Sequence, residues 1–194
     1  MLIVGLNGSP NENGNTKFLL NTVMEQASTL GAKTRILEAG ELLSSAKHAF
    51  CKACSNPCSG ACYKGTKLEE AFETLKKADA IVLGTPVYFG TVSAQIKAFF
   101  DKTRKLRVEK AFYNKVGAGV TVAASKYGGQ ETTMKALHDI MLVHGMIVVA
   151  DGFGQDDCGH HGVCSQRPAQ NDEFAIKRAR ILAKRLVEVC GWRK

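Results

Sequence analysis

The chain has 194 residues, enough for one domain of ordinary size, and its apolar fraction of 45% is sufficient for a substantial core. A net charge of +8 raises the question of nucleic acid, but no recognition motif supports such binding. The opening MLIVGLNGSP lacks a basic n-region and a cleavage site, and no apolar run is long enough to span a bilayer, so a soluble cytoplasmic protein without a membrane partner is expected.

Leu2-Ile3-Val4 is a short β-prone run that leads directly into glycine-rich sequence. A helical pattern follows, with Leu20, Val23, Ala27 and Leu30 on one face and Gly31 as its stop. Thr34–Leu37 reads as a second strand. A cysteine-rich loop over about 44–65 comes next, then a helix over Lys67–Lys77. Ala80–Leu83 is a third strand, and Val92, Ile96 and Phe99 give the next helix its buried stripe. Val116–Val122 is a glycine-rich fourth strand. A helix through Leu137, Ile140 and His144 leads to a fifth strand at Met146–Val149. The last helix buries Ala175, Ala179, Leu182, Leu186 and Val189, and its Lys177, Arg178, Arg180, Lys184 and Arg185 read as a solvated face.

Apolar strands alternating with helices predict an α/β fold, a parallel sheet covered on both faces. The right-handed crossover rule leaves few topologies, and a doubly wound five-stranded sheet of order 2-1-3-4-5 fits. Ligands then bind beyond the carboxyl ends of the strands. The cysteine loop is an insertion after strand 2, at that same edge. Residues 1–194 read as a single domain without internal repeats.

Three loops at that edge have the composition of ligand-binding loops. Gly8–Thr16 is neither a P-loop nor G-x-G-x-x-G, but it is rich in small polar side chains and opens a helix. Helix N–H groups with the Ser9 and Thr16 hydroxyls suit a phosphate monoester dianion. The alternative is a turn capped by Asn15 or Thr16. Gly84–Gly90 places Tyr88 and Phe89 past a central strand, either flanking a planar ring or packing at the edge. Ala124–Thr133 contains Gly128-Gly129, which permits close backbone approach to a ligand or simply makes a tight turn before a helix.

Cys51, Cys54, Cys58 and Cys62 are spaced C-x2-C-x3-C-x3-C. Four thiols so close can converge on one metal centre, and thiolate quartets hold [4Fe–4S] clusters or structural zinc. In a reducing compartment metal or redox chemistry is favoured, with paired or free thiols as the alternative. From Leu42 to Leu68 there is no acidic residue, while Lys47, Lys52, Lys64 and Lys67 surround the cysteines. Such a surface is either a solvated basic loop or one that favours a reduced, anionic cluster and guides an acidic electron donor. The segment Cys158-Gly-His-His-Gly-Val-Cys164 matches no zinc motif well, and the 151–168 stretch reads instead as a loop closing over the active site or meeting a partner subunit.

Together Gly8-Ser-Pro…Gly-Asn-Thr16, Thr-Pro-Val-Tyr-Phe-Gly90, Ser93-Ala-Gln-Ile-Lys-Ala-Phe-Phe-Asp101, Gly-Gly-Gln-Glu-Thr-Thr133 and His-Gly-Met-Ile-Val148 resemble the flavodoxin-like NAD(P)H-dependent FMN reductases. The last two are similar to the Trp-repressor-binding-protein quinone oxidoreductases. The cysteine quartet resembles that of iron–sulfur flavoproteins, although these begin with a tighter C-x2-C-x2-C and have a longer last gap. The resemblance covers most of residues 1–150. It implies an FMN phosphate on Ser9, Asn11, Asn13, Asn15 and Thr16. It sets the isoalloxazine among Pro86, Val87, Tyr88, Phe89 and Gly90, with Ser125, Lys126, Tyr127 and Gly128 opposite. Cys51, Cys54, Cys58 and Cys62 would ligate a [4Fe–4S] cluster.

The expectation is therefore an FMN-dependent oxidoreductase whose cluster exchanges electrons with FMN to reduce a small-molecule acceptor. An acidic ferredoxin-like donor and a homodimer or homotetramer accompany it. No acid/base side chain is nominated. Two alternatives stand beside it: an NAD(P)H-dependent FMN or quinone reductase with zinc or free thiols at the loop, and a non-enzymatic electron carrier or redox sensor.

Overall fold

The computed structural model describes residues 1–11 and 13–192. Glu12 of the first loop, and Arg193 and Lys194 at the end of the expected 1–194 unit, lie outside the described residues. The chain runs β1 (Leu2–Asn7), α1 (Asn15–Thr29), β2 (Lys33–Glu38), α2 (Ala39–Ser45), α3 (Lys67–Lys77), β3 (Ala80–Pro86), α4 (Ala94–Asp101), α5 (Arg104–Val108), β4 (Val116–Ala123), α6 (Gln130–Leu142), β5 (Ile147–Val148), β6 (Val163–Gln166) and α7 (Glu173–Trp192). The sheet order is β2-β1-β3-β4-β5, with β6 also on β4, and every pairing is parallel.

Alternation along the strands divides the core in two. Ile3, Val82 and Val120 face α1 and α7, meeting Leu20, Val23, Leu182 and Leu186. Val4, Leu6, Ile81 and Leu83 face the other layer, where Phe72 of α3 and Phe99 of α4 pack edge to face at 5.3 Å. The glycines of β4 lie on this second face. A Cβ at Gly117 would stand 2.6 Å from Met141 Sδ, and one at Gly119 would stand 2.3 Å from Met134 Sδ. The strand is glycine-rich because α6 lies directly upon it.

The expected order and the five expected helices are present, with several corrections. The fifth strand is shorter than Met146–Val149, and its sheet position is shared. Ile147 and Val148 pair with Val116 and Gly117, the chain leaves the sheet, and Val163–Gln166 returns beside Val120–Ala123. The sheet thus has six strands, and part of the expected 151–168 loop is β6. The short helices α2 and α5 were not anticipated, since seven and five residues are too few to display a periodicity. His144 lies beyond α6 rather than within it. Leu30 is exposed at the C-cap of α1 instead of joining its buried face. Arg178 is buried within α7 and is no part of a solvated face.

Candidate functional site

The switch in strand order between β1 and β3 opens a crevice at the carboxyl edge of the sheet. The first loop is pinned there by backbone. Gly8 N donates to Gly84 O at 2.7 Å, and Gly8 O accepts from Ser93 Oγ at 2.6 Å. Ser93 is fully buried and also caps α4 by accepting from Ile96 N at 3.3 Å. Its placement was legible as an N-cap pattern, yet it was not singled out.

Within the loop, Ser9 Oγ accepts from Asn11 N at 3.1 Å and Asn11 Oδ1 from Asn13 N at 3.2 Å. The N-cap of α1 is Gly14, without a side-chain cap, so neither Asn15 nor Thr16 caps the helix. The N–H groups of the first helical turn have no acceptor within the helix, and that turn carries no acidic residue. Thr16 is buried beside them. Asn15 turns away, its Oδ1 accepting from Ala169 N at 2.8 Å. Ser9, Thr16 and the helix N–H groups therefore form a donor set suited to a phosphate.

The second and third loops touch. Thr132 Oγ1 donates to Gly90 O at 2.9 Å. Gly129 has φ of +95°, and a Cβ there would lie 3.2 Å from Gly90 Cα, so both conformation and space require glycine. Tyr88 and Thr91 exchange backbone hydrogen bonds around Phe89 and Gly90. Phe89 and Tyr127 hold φ of 50° and 57°, a conformation unusual for aromatic residues, and both side chains stand in solvent. Pro86 and Val87 are half-buried, while Ser125, Lys126 and Gly128 are exposed. Gln130 Nε2 ties the third loop to β6 through Ser125 O and Ser165 O.

The cysteine loop is closed at its neck, where Lys47 N donates to Cys62 O at 3.1 Å. Its root is the buried Tyr63, packed edge-on against Phe72 at 4.9 Å. Burial, and then Cys58 and Cys62, push the Tyr63 hydroxyl up to about 12. Cys54 is exposed, whereas Cys51, Cys58 and Cys62 are half-buried. Among the described residues no three His, Cys, Asp or Glu side chains are arranged to hold a metal ion, so the four sulfurs do not form a ready-made ligand set. The same holds for the Cys158–Cys164 segment. The quartet's donor chemistry nonetheless fits a soft-metal centre: four thiols, no carboxylate from Leu42 to Leu68, and the buried Lys102 Nζ 3.7 Å from Cys62 Sγ. Sequence reasoning missed Lys102, which the α4 stripe does not distinguish from a surface lysine.

A cavity of about 500 Å³ joins the first loop to the cysteine loop, with Ser9 and Pro10 on one wall and Ala49 and Phe50 on another. A larger one, about 1170 Å³, lies between the third loop and the excursion after β5, lined by Tyr127, His160, Cys164 and Phe174. The excursion is fixed from below. Arg178 Nε donates to the buried Asp151 carboxylate at 2.5 Å, and its Nη1 grips both Asp157 oxygens at 2.7 and 2.8 Å. Asp151 also accepts from His160 N at 2.6 Å.

Residues 1–159 match the family described as NADPH-dependent FMN reductase. An iron–sulfur flavoprotein of Methanocaldococcus jannaschii is 37% identical over 195 residues, covering 97% of either chain. An NAD(P)H dehydrogenase (quinone) of Trichlorobacter lovleyi is 46% identical over 77 residues, 40% of this chain and 38% of that one. Among solved structures, the WrbA-like flavodoxin of Agrobacterium tumefaciens superposes with a TM-score of 0.70 at 22% identity, covering 100% of this chain and 99% of that one. The fold is flavodoxin-like.

Proposed function

The chain belongs to the NADPH-dependent FMN reductase family and is a flavin-dependent oxidoreductase, and from this premise we propose that it pairs FMN with a [4Fe–4S] cluster to reduce a small-molecule acceptor. The observation that carries this reading is the cavity of about 500 Å³ bordered by the phosphate-suited first loop on one side and the approach to Cys51 on the other. A phosphate dianion on Ser9, Asn11, Asn13, Thr16 and the α1 N–H groups would anchor FMN, with Asn15 contributing its amide N–H while its oxygen holds Ala169. The isoalloxazine would lie by Pro86–Gly90 and Ser125–Gly128. Cys51, Cys54, Cys58 and Cys62 would hold the cluster.

When bound, FMN exchanges one or two electrons and the cluster single ones. The chain's own part is to bind, orient and set charge. The exposed Tyr88, Phe89 and Tyr127 support an assembly of two or four copies covering these aromatics. Lys47, Lys52 and Lys64 are exposed around the cysteines and suit an acidic ferredoxin-like donor, whereas Lys67 is paired with Glu41 at 2.6 Å.

The test is anaerobic purification followed by a visible spectrum with iron, sulfide and FMN analysis. Stoichiometric FMN, a broad shoulder beside the flavin bands and equal iron and sulfide are expected. Flavin bands alone would point to the second reading, an NAD(P)H-dependent FMN or quinone reductase with zinc or free thiols at the loop. The local likeness to an NAD(P)H dehydrogenase (quinone) favours that alternative.

A further inference from the structure

Two buried polar groups face the cysteine loop without a conventional partner. Lys102 caps the C-terminus of α4 and is 2% exposed. Its ammonium meets Cys62 Sγ at 3.7 Å, and among the described residues no carboxylate lies within ion-pair distance of it. Other cations gather nearby. Burial, and then Lys52, Lys47 and Lys102, hold the His48 imidazole below its ordinary range. The second group is the Tyr63 hydroxyl. It is buried, lacks a hydrogen-bond partner, and would lie 2.7 Å from a Cβ on Gly60, between Cys58 and Cys62.

A buried ammonium among cations is destabilising unless an anion sits against it, and an unpaired buried hydroxyl is also costly. A neutral thiol answers neither need. A thiolate-held metal centre answers both, because its sulfur atoms are anionic acceptors.

We propose that Lys102 and Tyr63 form a polar floor for the negative charge of a metal centre on the cysteine loop, and that Lys102 sets how readily this centre accepts an electron. The redox part rests on the cluster reading above. One-electron reduction of a thiolate-bound [4Fe–4S] cluster adds one negative charge and requires no proton. A fixed cation beside a ligating sulfur stabilises the more negative, reduced state.

The experiment compares wild type, Lys102→Met, Lys102→Arg and Tyr63→Phe as full-length protein. Each is studied metal-free after chelation and again after anaerobic reconstitution with iron and sulfide. The reduced fraction is read by electron paramagnetic resonance at a fixed potential set with dithionite and mediators. Lys102→Met should lower the reduced-to-oxidised ratio about tenfold, equivalent to about 59 mV for a one-electron couple, and Lys102→Arg should restore it. Urea unfolding supplies a readout independent of electron transfer. Metal-free Lys102→Met should resist urea better than metal-free wild type, while its metal-dependent gain in midpoint should shrink; Tyr63→Phe should show the same pattern more weakly.

An unchanged ratio in Lys102→Met, or an equal loss of stability with and without metal, overturns the proposal. If Lys102→Met does not fold, Tyr63→Phe decides it by the same urea comparison. Wild type that takes up zinc but neither iron nor sulfide defeats the cluster reading alone. The floor is then judged by whether the zinc-dependent gain shrinks in Lys102→Met. Wild type that holds neither metal defeats both.

Discussion

Mild acid should weaken this protein through one buried imidazole. His144 packs between Phe100 and Phe112, with ring centroids 5.7 and 5.1 Å away. Its Nε2 lies 3.0 Å from Thr103 Oγ1, whose own proton goes to Phe100 O at 2.6 Å. The Thr103 oxygen is therefore an acceptor, and Nε2 carries the hydrogen of a neutral ring. Nδ1 is buried with no partner, so a proton placed there would have no acceptor. Burial, and then the Arg107 charge, push the group from 6.5 to about 4. Between those values the unfolded chain binds a proton that the native protein does not, so native stability rises with pH across the window and is lost as pH falls from about 6.5 toward 4. Fully realised the gap is worth roughly 3 kcal/mol, of which about 2 kcal/mol is lost on going from about pH 7.5 to about pH 5. Urea unfolding of wild type and His144→Gln at both pH values isolates this contribution, because His48 and His138 titrate in both proteins. Wild type should lose about 2 kcal/mol more than the variant. Equal losses would refute the assignment of a neutral, partnerless Nδ1.

Thr16→Val should weaken FMN retention in equilibrium dialysis by about 1–3 kcal/mol, the cost of an unpaired charged acceptor; unchanged retention would sink the phosphate-loop assignment. Single Cys→Ser changes at Cys51, Cys54, Cys58 and Cys62 should each lower iron content and leave FMN bound, whereas Cys158→Ser and Cys190→Ser should do neither, as metal and flavin analysis will show. Arg178→Met strands the buried Asp151 carboxylate and should cost about 3–5 kcal/mol in unfolding experiments, with Asp151→Asn recovering most of it; a small loss without recovery would contradict the Arg178 anchor. Electron delivery from an acidic protein donor should slow as salt rises, and further at low salt in Lys52→Glu/Lys64→Glu. A rate indifferent to both removes the docking role.

The parallel sheet and its order were legible because strands such as Ala80–Leu83 are continuous apolar runs, and buried parallel strands have that signature. The loops of the crevice were legible as well, since glycine, small polar residues and helix starts cluster after β1, β3 and β4. What escaped depends on contacts between distant residues. Nothing in the run Phe-Phe-Asp-Lys102 reveals that this lysine points inward at Cys62, forty residues away. Arg178 reads like its neighbours Lys177 and Arg180 until Asp151 is brought beneath it. The split fifth strand was hidden because Val163-Cys-Ser-Gln is too short and polar to declare itself. The unassembled thiols lie at a different limit, since C-x2-C-x3-C-x3-C specifies ligand chemistry without dictating the orientation of each side chain.

The split strand also affects how the molecule avoids its neighbours. From Gly117 to Val120 β4 advances three residues, while the chain beside it advances fifteen, from Val148 to Val163, and resumes in parallel. This side of the sheet therefore ends in strands of two and four residues with a looped excursion between them. A long, flat edge of unpaired N–H and C=O groups is a template for strand addition by another chain. Here that template is broken into fragments by an excursion held down by Arg178. The same excursion that walls the larger cavity thus protects the sheet against edge-to-edge aggregation, so shortening it to enlarge the cavity would trade colloidal stability for access.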